Sequence, residues 1–215
     1  NAGILLLFAA LWWEGAAGAR LEGGGLVLAG AALVLLAPLV GSVRGRATRL
    51  RPRARGAIRY VLFANRLAVV AGLLLVWAGL ESFLEGQFAA PGARDAARHA
   101  FGLGVITCLI VGMAQLVAPF FALRRSEPPG HWLLEEAPFW LLASGAVLRV
   151  AGGLLWDQLG FAARMRLAGT AGTLAWLGLT LFAATVFQAV RSQGRIKASL
   201  EASVPRRGRE PRPGR

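Results

Sequence analysis

Cysteine is almost missing from this chain: Cys108 is the only one. It lies inside an apolar run, so there is no intramolecular disulfide and no CxxC metal site. Histidine is nearly as scarce. His99 and His131 are the two, and neither sits in an HxxxH or HExxH pair or in a His/carboxylate cluster. A haem–copper oxygen or nitric oxide reductase core draws several histidines from several helices, so two histidines exclude it. Acidic residues number 11 against 24 basic ones. Alternating apolar segments of about ten residues, the mark of a transmembrane barrel, are also missing. The glycine cluster at 23–25 fits no phosphate-binding loop.

What remains is apolar. Of 215 residues, 56% are hydrophobic and 16% charged, and the mean hydropathy is +0.55. The apolar residues fall in continuous runs, and a bilayer core about 30 Å thick takes roughly 20 residues of helix. The expected fold is therefore all-α, a polytopic transmembrane bundle of six helices. They are read at 3–13 (the end of a first helix), 24–43, 60–80, 99–123, 138–156 and 167–190. Between them lie a turn at 15–23, a basic loop at 44–59 and a polar connection at 81–98. A Pro/Gly loop comes next at 124–136, and a turn at 157–166. Residues 1–190 form the bundle, and 191–215 form a basic cytoplasmic tail that is largely disordered. The first run is too short to span alone, so residues are expected either to be missing before Asn1 or to have been removed by processing, and no basic segment precedes it to make a signal peptide.

Basic charge tests this count of helices. Seven arginines lie from Arg44 to Arg59, two more are Arg124 and Arg125, and eight basic residues stand in the tail. Strict alternation of six helices puts all of these on one side. The other side keeps Arg20, Arg94, Arg98, Arg164 and Arg166. The positive-inside rule then makes the rich side cytoplasmic, with both ends of the chain inside. The expected location is the bacterial inner membrane. Placement in loops and tail makes topology, not nucleic acid, the reason for a net charge of +13. Arg44 to Arg59 and the C-terminal tail are also expected docks for anionic lipids.

Packing and polar residues come next. Ala64, Ala68 and Gly72 recur every four residues, as do Ala100, Gly104, Cys108 and Gly112, which lets helices approach closely. Trp176 falls mid-helix and reads as a packing residue, and Met113 as core. Arg66 lies about 10 Å along its helix from the inner end. A charge at that depth needs a partner or a polar cavity, or must snorkel. Gln115 sits at similar depth one helix on. Arg149, in the outer part of the fifth run, would meet a propionate, an anionic lipid or the interface. His99, at the outer mouth of the run from Arg98 to Arg125, carries the sharpest reading. An imidazole there can ligate haem iron, and Gly102, one turn on, would let a porphyrin lie against the helix. The plainer reading is a helix-terminal histidine bonded to water or to Glu81 or Glu85.

Three stretches together resemble one family. They are RHAFGLGVITCLIVGMAQLVAPFF, APFWLLASGAVLRVAGGLLW and LAGTAGTLAWLGLTLFAATVFQAVR, spanning 98–191. They are similar to the closing helices of the NnrS family, polytopic membrane proteins associated with haem, copper and nitric oxide stress. The matching positions are His99-Ala100, Gly102, Gly104, Gly112-Met113, Leu148-Arg149 and Trp176. The family has more helices and more histidines. Pro119-Phe120-Phe121 stands where it carries a basic-histidine motif, so the resemblance extends to haem and not to copper. It implies one b-type haem at His99, with Gly102 and Arg149 beside it.

The functional expectation is an accessory subunit of a bacterial respiratory or redox complex, not catalytic by itself, packed against other membrane subunits. The alternative is a purely structural, lipid-binding subunit without cofactor. A small transporter would need paired broken helices or several midplane charges, and only Arg66 approaches that.

Overall fold

The structure is a computed structural model that describes residues 2–41, 52–121 and 132–203. These residues are helical apart from short turns. In chain order the elements are α1 (Ala2–Ala10), α2 (Gly15–Gly41), α3 (Pro52–Glu85) and α4 (Pro91–His99). A π-helical segment (Ala100–Thr107) joins α4 to α5 (Cys108–Phe121), and α6 (Trp132–Leu154) and α7 (Phe161–Ser203) complete the chain. Five stretches are long and apolar enough to cross a membrane: Gly15–Leu36, Gly56–Glu85, Pro91–Gln115, Glu136–Leu154 and Phe161–Gln188. The chain is an all-α, multi-pass membrane bundle.

Helix ends run beyond the apolar runs. α2 begins at Gly15, inside the expected 15–23 turn, and α3 begins at Pro52, inside the expected basic loop. The connection expected at 81–98 shrinks to residues 86–90. α7 continues past 190 as far as Ser203, so no structural boundary falls where the tail is expected to start. A helix satisfies its own N–H and C=O groups, so extending it through the interface costs less than fraying at the hydrocarbon edge. Proline marks the starts of α3 and α4, where its missing N–H costs nothing. Pro138, expected in a first turn, lies inside α6. Residues 42–51, 122–131 and 204–215 lie outside the described residues, and with them His131, Arg124, Arg125, most of the basic loop and the end of the tail.

Glycine sets the helix spacing. A Cβ on Gly30 or Gly72 would run into the other's carbonyl oxygen, and Gly23 and Gly79 are related in the same way. α2 and α3 therefore pack with their backbones nearly touching. Elsewhere on α3, Tyr60 and Ala64 share a buried cluster with Cys108, Val111, Leu142 and Ala175. The stripe Ala100, Gly104, Cys108, Gly112 is buried along its whole length. Gly104 seats Leu67, and Gly112 seats Tyr60. By contrast only 17% of the most apolar window of α7 is buried. Trp176 there is 64% exposed. It is not a packing residue within this chain, and Met113, 54% exposed, is not core.

Candidate functional site at one mouth of the bundle

The polar side chains gather at the end of the bundle where α3 passes into α4 and α6 into α7. The turn is tied locally: the buried Ser82 hydroxyl accepts a hydrogen bond from the Ala89 N–H at 2.8 Å. Gly86 takes a positive φ of 63°, which a side chain would oppose. The turn delivers Pro91, and α4 then presents Arg94, Asp95, Arg98 and His99 within two helical turns.

Asp95 is the hub. The carbonyl of Asp95 lies 2.8 Å from the His99 Nδ1, and its carboxylate Oδ1 lies 3.3 Å from the same nitrogen. A carbonyl only accepts, so Nδ1 carries the proton and donates, which leaves Nε2 as the ring nitrogen not engaged in this bond. The other carboxylate oxygen lies 3.4 Å from Arg149 of α6. From sequence, the expected partners are water, Glu81 or Glu85 for His99, and the nearer interface, a propionate or an anionic lipid for Arg149. The structure gives both the same aspartate. Sequence reasoning missed Asp95, although it stands four residues before His99 on the same helix face, a spacing that signals contact. A second bridge ties Arg94 to Glu22 of α2 at 2.5 Å, with the Glu22 side chain 9% exposed.

Below His99 the chain changes pitch. In the π-helical segment the Thr107 hydroxyl donates to the Gly102 carbonyl five residues back, at 3.0 Å. A π turn widens the helix and rotates the residues beyond it, and such turns recur at functional sites. Gly102 has open space where a Cβ would stand, and Ile106, Ile110 and Met113 beyond it are exposed. His99 and Gly102 thus head an apolar face that no described residue covers.

Beside this face, between α4, α6 and the start of α7, is a cavity of about 460 Å³. Arg94, Arg98, Arg149 and Arg164 line it with Asp95, over Trp156, Met165 and Ala168. His99 is not among its lining residues. Arg164 donates from Nε to the Leu159 carbonyl at 2.6 Å, and its guanidinium lies 4.7 Å from the Trp156 ring centre.

The two polar residues expected near mid-membrane are not brought together. Gln115 donates to the Tyr60 hydroxyl at 3.4 Å, while Arg66 is exposed on α3. At the opposite end of the bundle Arg59 bonds Glu136 at 2.7 Å, both half exposed. Among the described residues no three His, Cys, Asp or Glu side chains converge to hold a metal ion. Comparison with family models, with curated proteins and with solved structures returned no match.

Proposed function

We propose that this chain is an NnrS-like accessory subunit of a bacterial inner-membrane respiratory or redox complex, and that its His99 mouth is the functional end. On this reading the mouth is periplasmic, both chain ends are cytoplasmic, and His99 is the residue that would hold a b-type haem. The observation that carries the reading is the His99 ring. Its Nδ1 is engaged by the Asp95 carbonyl, the arrangement that fixes the tautomer and sharpens the other nitrogen as a ligand. Two features support it. Gly102 leaves room for a flat macrocycle against the helix, and the face below is apolar and uncovered. Haem, when bound, would supply one-electron chemistry. A second ligand would come from water, from residues outside this sequence, or from a neighbouring subunit, whose surface would close over the exposed face.

A second reading is favoured by one observation. Asp95 already ties His99 to Arg149 across α4 and α6, which is sufficient reason for a histidine at this place in a purely structural, lipid-binding subunit. An absorption spectrum separates the two. The complex purified from native membranes should show a Soret band that is lost or shifted in His99→Ala with the subunit still present. An unchanged spectrum in a fully assembled His99→Ala complex removes haem at this site and leaves the structural reading.

A further inference from the structure

Four of the basic residues that the positive-inside rule does not account for meet at one place. Arg94, Arg98, Arg149 and Arg164 surround the 460 Å³ cavity. They lie at the end of the bundle opposite Arg59. Three of them come from the side that the arginine count leaves poor, and Arg149 reaches the cavity from within α6. Topology explains arginines left on the arginine-rich side. It does not explain why those of the poor side should converge.

The charge around the cavity does not cancel. Asp95 is the one acidic residue in the lining, and it already faces both Arg149 and His99. Glu22 answers Arg94 from outside. Arg164 is satisfied by a carbonyl and the Trp156 face, neither of which neutralises it. Arg98 is exposed at the rim. The start of α4, Pro91, also faces the cavity, adding the positive end of a helix dipole. The floor is apolar, formed by Leu148, Gly152, Met165 and Ala168. The volume suits a small polar head with part of an apolar body, and exceeds what one bare ion fills.

We propose that this cavity binds a phosphate group, and that Arg98 and Arg164 are its principal donors, with Arg149 and Arg94 held behind them by Asp95 and Glu22. The phosphate has two sources, the head of an anionic phospholipid in the facing leaflet or a free phosphate from the aqueous side. Guanidinium pairs suit either, since the planar fork matches two phosphate oxygens. The apolar floor would take the first part of a lipid glycerol and chains.

The test uses the full chain in detergent and native mass spectrometry. Phosphatidylglycerol is titrated in one arm, phosphatidylcholine in a second and inorganic phosphate in a third. Retention of phosphatidylglycerol over phosphatidylcholine is expected. It should fall about tenfold for each guanidinium lost in Arg98→Gln and Arg98→Gln/Arg164→Gln, the worth of one charge-assisted hydrogen bond. Ala168→Trp, which fills the cavity and leaves every charge in place, should weaken it to the same degree and guards against misfolding of the arginine variants. Arg20→Gln/Arg166→Gln, equal in charge and on exposed residues outside the cavity lining, should leave it unchanged. If inorganic phosphate competes at millimolar concentration, and its competition is lost in the same variants, the free anion is the source. Equal retention of both lipids with no competition by phosphate overturns the proposal. So does loss in Arg20→Gln/Arg166→Gln equal to that in the cavity variants, or full retention in Ala168→Trp.

Discussion

Gly23 of α2 and Gly79 of α3 face each other so closely that a Cβ on either would stand 2.5–2.6 Å from the other's carbonyl oxygen. Gly30 and Gly72, two helical turns away on the same two helices, repeat the arrangement. Backbone carries this interface, and side chains flank it. Gly79→Leu should therefore push the helices apart, at a cost of about 1–3 kcal/mol or more from overpacking. Gly172→Leu on α7, where nothing stands within 4 Å of a new Cβ, should be near neutral. Unfolding in detergent, monitored by circular dichroism against denaturant, compares the two.

The Arg94–Glu22 bridge is asymmetric. The Glu22 side chain is 9% exposed and that of Arg94 is 30% exposed. Removing the arginine leaves a buried carboxylate without its partner, a loss of about 3 kcal/mol. Removing both charges together should cost much less. Arg94→Gln is thus expected to destabilise the bundle well beyond Arg94→Gln/Glu22→Gln, measured by the same unfolding assay. Equal losses would mean that the carboxylate finds water.

The connection between α3 and α4 depends on one hydroxyl. Ser82 is fully buried and accepts from the Ala89 N–H. Ser82→Ala strands that donor at a cost of about 1–3 kcal/mol. The loss should be local: hydrogen exchange is expected to speed up at 86–92 before the core of α3 responds.

Asp95 couples α4 to α6 through partly exposed side chains, each near 30%. Solvent screening holds such a pair to about 1 kcal/mol or less. A double-mutant cycle on Asp95→Asn and Arg149→Gln should return a coupling of that order. It should shrink further as salt is raised.

Orientation is directly measurable. In a Cys108→Ala background, cysteines placed at position 47 and at position 208 should be labelled from the same side of sealed vesicles. A cysteine at position 88 should be labelled from the opposite side. Labelling of 47 and 208 from opposite sides would break the helix alternation on which the proposed sidedness of His99 rests.

Much of the bundle is legible in residue order alone, and particular residues show where that stops. The alternation of α2 through α7 tracks the apolar runs, because a helix of the right length and greasiness crosses lipid whatever its neighbours do. The Ala100–Gly112 stripe is legible for the same kind of reason, since a four-residue repeat of small side chains makes one smooth face. Gly23, Gly30, Gly72 and Gly79 are harder to see. Their seven-residue spacings are split between two helices, in a chain with 28 glycines. Trp176 and Met113 are misplaced by sequence because a membrane helix is apolar on every side, so hydrophobicity no longer tells inside from outside.

Composition and run length by themselves determined that this chain is a helical membrane bundle and which stretches of it are long and apolar enough to cross. Those properties answer to the bilayer, which reads each segment singly. Only the tertiary structure decided that Asp95 stands between His99 and Arg149, and that four arginines from three helices ring one cavity. These meetings depend on how each rod is rotated about its axis and how closely it is packed. Glycine contacts and a π turn govern that, and neither leaves a mark in hydrophobicity.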